Sequence, residues 1–304
     1  MADLKTPLYD RHVACEGRMV PFAGYLLPVQ YPTGVIAEHT AVRTKAGIFD
    51  VSHMGEAMLE GPDALHNLNA IMTNSFDTLL IGSARYTLML YENGGEVDDL
   101  IVYRLGAEKF FLVLNASNTT KDIAWMQAHL QGDATLTDLS PDIAQIALQG
   151  PLSKEIILPL CDAALLPEKN YTFTEKMAVA GVECLVSRTG YTGEFGYELY
   201  MAPEKAAIVW DALLANGAVP CGLGCRDTLR LEAAMPLYGH ELGDAINPLA
   251  AGLGFAVKME KADFIGKTAL MAQGQPKQVR VGLKVTGRGI IREHEAVFLN
   301  GKEI

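Results

Sequence analysis

The clearest hydrophobic–polar pattern in the chain lies between residues 84 and 115. Two apolar, β-rich runs flank Asn93-Gly94-Gly95, and a third, Phe110 to Asn115, follows a break at Gly106-Ala107. Asn-Gly between such runs is a strong hairpin signal, so the stretch predicts a three-stranded meander. Its second strand opens on two adjacent carboxylates, Asp98 and Asp99, and continues Leu-Ile-Val. Aspartate is depleted in strands, and a charge beside a core is costly unless paired or used. Period-two alternation sends the two to opposite faces, so one can look into a pocket while the other meets water. A turn at 106–107 sets position 98 opposite position 115, with Asp98 beside Asn115. On this local pattern alone, an Asx turn at the strand entry is favoured over a functional pair.

Elsewhere, spacing predicts a short helix from Pro7, then helices at 35–46, 62–72, 118–130, 152–160, 203–215, 225–235 and 262–272. Strands are predicted at 48–55, 143–150, 172–180, 183–188, 197–201, 278–287 and 295–299. The strands cluster without regular β-α-β alternation. The fold class expected is therefore α+β rather than a doubly wound parallel sheet.

The 304 residues are 49% hydrophobic and 20% charged, an ordinary globular balance. The formal net charge is -11 and no Lys/Arg-rich run occurs. This argues against a nucleic-acid or anionic-membrane surface. No apolar stretch reaches transmembrane length, and the first residues carry no apolar signal-peptide segment. The five cysteines are odd in number and lack a Cys-x-x-Cys. Neither a disulfide framework nor a zinc site is expected, and a reducing cytoplasm fits best.

Several chemical motifs fail. Gly222-x-Gly224 has Asp227 where a dinucleotide fingerprint needs its third glycine, and no P-loop or Gly-x-Ser-x-Gly elbow occurs. Ser52-His53 and Cys225 are a nucleophile–base set by residue type only. Two stretches remain. Arg188 to Glu198 has glycines that let backbone approach a flat ligand, and a fixed Glu can accept two adjacent N–H donors from a heterocycle. A solvated loop with a surface Glu accounts for it equally well. Gly222 to Glu232 puts Arg226 at a helix start, where its charge opposes the macrodipole, a placement suited to an anion or a carbonyl. Arg230 and Glu232 read as structural ion pairs.

These stretches, with Met19-Val-Pro-Phe-Ala-Gly-Tyr25, Glu38-His-x-Ala-Val-Arg43, Ala46-Gly-Ile-Phe-Asp-Val-Ser-His-Met54, Gly94-Gly-Glu-Val-Asp-Asp-Leu-Ile-Val102 and Asp263-Phe-Ile-Gly-Lys267, run in order along the chain. In them the sequence resembles the T-protein family, the tetrahydrofolate-dependent aminomethyltransferases of the glycine cleavage system. The resemblance implies a three-lobed fold around a folate channel. Its units would be a discontinuous central domain at 1–55 and 142–245, a second α+β lobe at 56–141, and a linker with an incomplete C-terminal β-barrel at 246–304. It implies Asp98 as the catalytic carboxylate, Glu194 as the group gripping the pterin, and Arg226, Tyr86, Asn115, Met54 and Tyr238 as further folate contacts. It also implies tetrahydrofolate as co-substrate, no metal, a transient lipoylated H-protein as partner beside the other glycine cleavage components, and a cytoplasmic setting. The product would be 5,10-methylenetetrahydrofolate, with release of ammonia and dihydrolipoyl carrier. Pro21, where many relatives have Asp, is a loop departure. Relatives continue past the last residues here, so exposed strand edges at 278–299, weakened stability and weakened folate binding are expected. The alternatives are a folate-dependent demethylase of small methylated compounds and a non-enzymatic folate-binding iron–sulfur assembly factor. Leu223 to Arg230 lacks the Gly-Gln-Glu segment of the latter.

Overall fold

A computed structural model describes residues 3–292 and 295–303. In chain order its elements begin with β1 (Leu4–Lys5), α1 (Tyr9–Ala14), β2 (Met19–Phe22), β3 (Tyr25–Pro28), α2 (Val35–Thr44), β4 (Gly47–Asp50), β5 (Gly55–Glu60) and α3 (Ala64–Ile71). Next come the meander β6 (Ser83–Leu90), β7 (Glu96–Arg104) and β8 (Lys109–Leu114), then α4 (Thr119–His129) and β9 (Thr135–Asp138). The chain continues through β10 (Ala144–Gln149), α5 (Ser153–Ile157), β11 (Phe173–Val179), β12 (Val182–Ser187), β13 (Gly196–Met201), α6 (Ala206–Ala215), β14 (Val219–Pro220), α7 (Leu223–Glu232) and α8 (Lys267–Gln273). A hairpin of β15 (Phe298–Leu299) and β16 (Lys302–Glu303) comes last.

Two sheets organise the molecule. One has five strands in the order β6-β7-β8-β5-β9, and the other six in the order β11-β12-β13-β10-β4-β14. Alternation divides each strand between two environments. On one face of the five-stranded sheet, Met89, Val102, Leu112 and Leu114 bury against α3 and α4 through Leu68, Ile71 and Met126. On one face of the six-stranded sheet, Ile146, Leu148, Tyr197 and Leu199 bury against α6, with Trp210 at the centre. The remaining faces turn toward each other. Tyr103, Phe111, Phe173 and Tyr200 pack between them, and the Tyr103 and Tyr200 hydroxyls hydrogen-bond at 3.0 Å. Each buried aromatic contributes on the order of 1.5–3 kcal/mol, which fixes the sheets as one unit. A segment around 238–257 closes one end, where Leu242, Leu253 and Ala256 pack on Leu88 and Leu90.

The α+β class is as expected, and no closed barrel forms among the described residues. Three expectations are corrected. The helix predicted from 262 starts only at Lys267, behind Gly266 in a left-handed conformation with φ +87. The strand predicted at 278–287 does not form. Val279, Val281, Leu283 and Val285 alternate as a strand would, yet all are exposed. Alternation alone makes no strand when no neighbouring backbone offers a hydrogen-bond ladder. Of 295–299, only Phe298–Leu299 pairs, with Lys302–Glu303.

Candidate functional site

Where the two facing sheets part, a cavity of about 370 Å³ opens. It is lined from the five-stranded sheet by Tyr86, Asp99, Ile101, Val113 and Asn115, and from the six-stranded sheet by Gln145 and Glu198. Arg226 of α7, Tyr191 of the loop before β13, and His53-Met54 of the turn between β4 and β5 complete the inner wall.

The meander sets the first wall. Asn93-Gly94 makes the predicted turn, with Gly94 at φ +86. Gly95 lies so close to the carbonyl of Asp244 that a Cβ there would sit 1.7 Å from its oxygen. An irregularity between Met89 and Leu90 then sets Met89 opposite Asp98 and Leu88 opposite Asp99. The register of β7 with β8, Ile101 opposite Val113, leads Asn115 opposite Asp99 rather than Asp98. The expected pairing thus slips by one, because the loop closes through Leu105 and Lys109 instead of a tight turn at 106–107. Asn115 still reaches both acids. Its Nδ2 donates to Asp98 Oδ1 at 2.9 Å and to Asp99 Oδ1 at 2.8 Å.

The two aspartates do part to opposite faces. Asp99 lines the cavity, and its Oδ2 accepts the Tyr86 hydroxyl at 2.9 Å. Asp98 is fully buried on the α4 side, where Asn118 Nδ2 donates to its Oδ1 at 2.8 Å. The expectation that Asp98 meets the cavity is therefore corrected: strand phase gives that position to Asp99. Burial, then the charge of Asp98, push Asp99 up to about 7. Glu96, also buried, is pushed up to about 8, first by burial and then by Asp99.

The second wall corrects another position. Glu194 does not line the cavity. It sits in the loop before β13 and pairs with Arg43 at 3.0 Å. Arg43 also binds Glu232 at 2.9 Å and the Thr192 carbonyl at 2.6 Å, so Glu194 ties the loop to α2 and α7. Four residues on, inside β13, Glu198 does face the cavity. Thr189 Oγ1 donates to its Oε2, and Gln145 Nε2 to its Oε1 at 3.2 Å. Burial raises Glu198, while Thr189, Arg226 and Gln145 work against the rise. The sequence-level signal was present: Gly196-Tyr-Glu-Leu-Tyr-Met201 is an apolar strand holding one acid.

Arg226 lines the cavity as expected, in the first turn and a half of α7. Its guanidinium lies 4.7 Å from the Tyr191 ring centroid. It has no hydrogen bond or ion pair among the described residues, so its donors are open to a ligand. Burial lowers its pKa, with Tyr191 and Glu198 opposing. Tyr86, Asn115 and Met54 line the cavity, as does Tyr238 at its mouth. The Tyr238 hydroxyl bonds Asp244 and accepts from Lys121 Nζ at 2.8 Å. His53, which the sequence offered only as a base by residue type, is buried with no partner on Nδ1 and edge-on to Phe22 at 5.6 Å. Burial and then Arg226 press it down to about 4, so it stands neutral at neutral pH. Ser52 Oγ bonds the Gln145 backbone, and Cys225 is buried beside Cys221. Among the described residues, metal-type donors converge at Glu38, Cys221 and Cys225, but both Glu38 oxygens already accept backbone N–H groups of Tyr31 and Gly222, at 2.6 and 2.9 Å. Arg230 and Glu232 make the ion pairs expected of them, with Asp227, Glu241 and Arg43.

The chain was compared with known proteins. A family model described as the GCVT N-terminal domain matches residues 8–261. An aminomethyltransferase of Geobacillus kaustophilus is 48% identical over 308 residues, covering 99% of this chain and 84% of that protein. One from Listeria welshimeri is 49% identical over 304 residues with the same coverage. The chain belongs to the aminomethyltransferase family of the glycine cleavage system. The fold agrees: the crystal structure of glycine cleavage system aminomethyltransferase T from Bartonella henselae superposes with a TM-score of 0.90 at 34% identity, covering 99% of this chain and 84% of that one. The chain is thus an aminomethyltransferase, a one-carbon transferase.

Proposed function

We propose that the cavity takes tetrahydrofolate, with the pterin N–H edge on Glu198 and the one-carbon-accepting nitrogens beside Asp99. The observation that carries this reading is the Asp99 carboxylate. It is turned into the cavity by Tyr86 and Asn115 and faces a wall where Glu198 and Arg226 stand together. Glu198 supplies a double acceptor for adjacent N–H groups. Arg226 supplies donors for a carbonyl. Tyr191 and Met54 offer apolar surface to a flat ring. Asp98 and Glu194 act behind the site, in line with their contacts. The three units at 1–55 with 142–245, 56–141 and 246–304 are the lobes that would surround such a channel.

The one-carbon unit arrives as an aminomethyl group on the lipoyl sulfur of the H-protein. N5 and N10 of the folate each form a bond to its carbon, as the carbon–nitrogen bond to the amine and the carbon–sulfur bond to the lipoyl arm break. The two protons leaving N5 and N10 end on ammonia and on the lipoyl thiol. Asp99, with a pKa near neutrality, is suited to take one of these protons and pass it to a leaving group, and its charge stabilises the cationic carbon between the steps. No covalent bond to the enzyme is needed. The other glycine cleavage components would supply the charged carrier and reoxidise it. The unpaired cysteines among the described residues suit a reducing compartment, and we assign the reaction to the cytoplasm.

The test is Asp99→Asn, assayed with lipoylated H-protein and tetrahydrofolate. Turnover should fall by about 10²–10⁴-fold with folate binding retained. Undiminished turnover would remove Asp99 from the mechanism.

A further inference from the structure

Behind the cavity lies a second carboxyl pair that this reaction scheme does not use. Asp98 and Asp122, the latter in the first turn of α4, are both fully buried. Neither Asp122 oxygen has a hydrogen-bond partner among the described residues, although both are buried, and the Asp98 carboxyl is the group that faces it. Asp98 Oδ1 accepts from both Asn118 and Asn115, at 2.8 and 2.9 Å. Asn115 Nδ2 in turn donates to Asp99 Oδ1 at 2.8 Å. A line of bonds therefore runs from Asp98 through Asn115 to the cavity, with the unpartnered Asp122 carboxyl at its inner end. Two buried carboxyls can face each other only with a proton between them. With its own amide donors spoken for, Asp98 is the acceptor and Asp122 the donor.

We propose that Asp122 is a positioning residue for the transfer reaction: a neutral carboxylic acid that hydrogen-bonds Asp98, so that one fixed negative charge stands behind Asn115 and Asp99. This rests on Asp99 as the working carboxylate. Burial, then the bond to Asp98 and its charge, push Asp122 up to about 11. The other groups facing the pair are Glu96 and Asp99 on β7, Lys121 on α4, and Tyr91 after β6. Tyr238 and Asp244 stand beyond them on the closing segment. Of these only Lys121 is a cation, and its Nζ is held by the Val97 carbonyl and the Tyr238 hydroxyl. The charge of Asp98 is what lifts Asp99 beyond the effect of burial, so a donor that keeps that charge in place also keeps Asp99 titrating near neutrality.

Two measurements on the full chain test this. Infrared difference spectra between the wild type and Asp122→Asn at about pH 9, above the titration of Glu96 and Asp99 and with the contribution of Glu56 cancelling, should show a neutral-acid carbonyl band that only the wild type has. Turnover against pH should separate two variants. Asp122→Asn keeps a donor to Asp98 and should hold kcat within about threefold and the acidic limb in place. Asp122→Leu removes the donor, so the Asp98 charge is no longer held in place behind Asp99. Its kcat should fall by about tenfold or more, the KM for tetrahydrofolate should stay within about threefold, and the limb should drop by about one pH unit. No band at pH 9, a wild-type profile in Asp122→Leu, or equal impairment of both variants would each overturn the proposal. If Asp122→Leu fails to fold, the band and the Asp122→Asn profile decide. Full turnover in Asp99→Asn would instead remove the reading of Asp99, while the band and its loss bear on Asp122 alone.

Discussion

The two walls of the cavity handle carboxyl groups in opposite ways. On the five-stranded sheet, Glu96, Asp98 and Asp99 crowd together in front of Asp122 of α4, and burial with mutual repulsion raises Asp99 to about 7 and Glu96 to about 8. On the six-stranded sheet Glu198 stands alone, and Thr189, Arg226 and Gln145 each oppose the effect of its burial. One wall holds protons that can move near neutral pH. The other holds a fixed acceptor beside a fixed cation. Environment assigns the carboxyls their roles here, proton transfer on one side and recognition on the other.

Substitutions can break that division. After the loss expected in Asp99→Asn, the largest effect should come from Glu198→Gln. It weakens a charge-assisted contact worth about 1.5–3 kcal/mol, so folate affinity should drop by about 10–150-fold with a smaller change in kcat. A titration showing unchanged affinity and a lost kcat would reverse the roles of the walls. Asp98→Asn comes next. Removing its charge lowers Asp99, so the acidic limb of turnover should move down by about one pH unit. A limb that stayed in place would separate Asp98 from Asp99 altogether.

Glu96→Gln sharpens the comparison through stability. Folded, Glu96 titrates at about 8 against an ordinary value of 4.5, so between these pH values the folded state binds the extra proton. Its contribution to stability therefore falls as pH rises through that window. The glutamine variant lacks this slope, and its melting temperature should gain on that of the wild type from about pH 5 to pH 8. A constant difference would show that Glu96 is already charged in the folded state. Smallest is Glu194→Gln. Its pair with Arg43, with 24% and 27% of the two side chains exposed, contributes about 1 kcal/mol or less, and turnover should stay within about twofold. A large loss of folate affinity there would return the pterin to Glu194.

Much of this was legible before any coordinates. Asn93-Gly94 and the alternation around it give the meander, because hairpins obey local rules. The motif stretches carry the family, and Arg226, Tyr86, Asn115, Met54 and Tyr238 all reach the cavity. What failed was phase. A loop closed by Leu105 and Lys109 shifts the β7–β8 register by one residue, so that Asn115 is led opposite Asp99. Alternation puts Asp98 and Asp99 on opposite faces without saying which meets the cavity; the resemblance points to Asp98, and the strand places Asp99 there. Glu194 and Glu198 differ likewise: the first follows a glycine in a loop, and the second has a strand to aim it. Asp122 gave no signal at all. An acid in the first turn of a helix reads as an ordinary dipole partner, and its burial depends on Asp98, distant in sequence. The valines at 279–285 show the converse, alternation without a partner strand.

The most direct measurement is a crystal structure of the protein with tetrahydrofolate bound. The account predicts the pterin N–H edge within hydrogen-bond distance of Glu198 and N5 or N10 within reach of the Asp99 carboxylate. A pterin held at Glu194, or nitrogens turned away from Asp99, would contradict it.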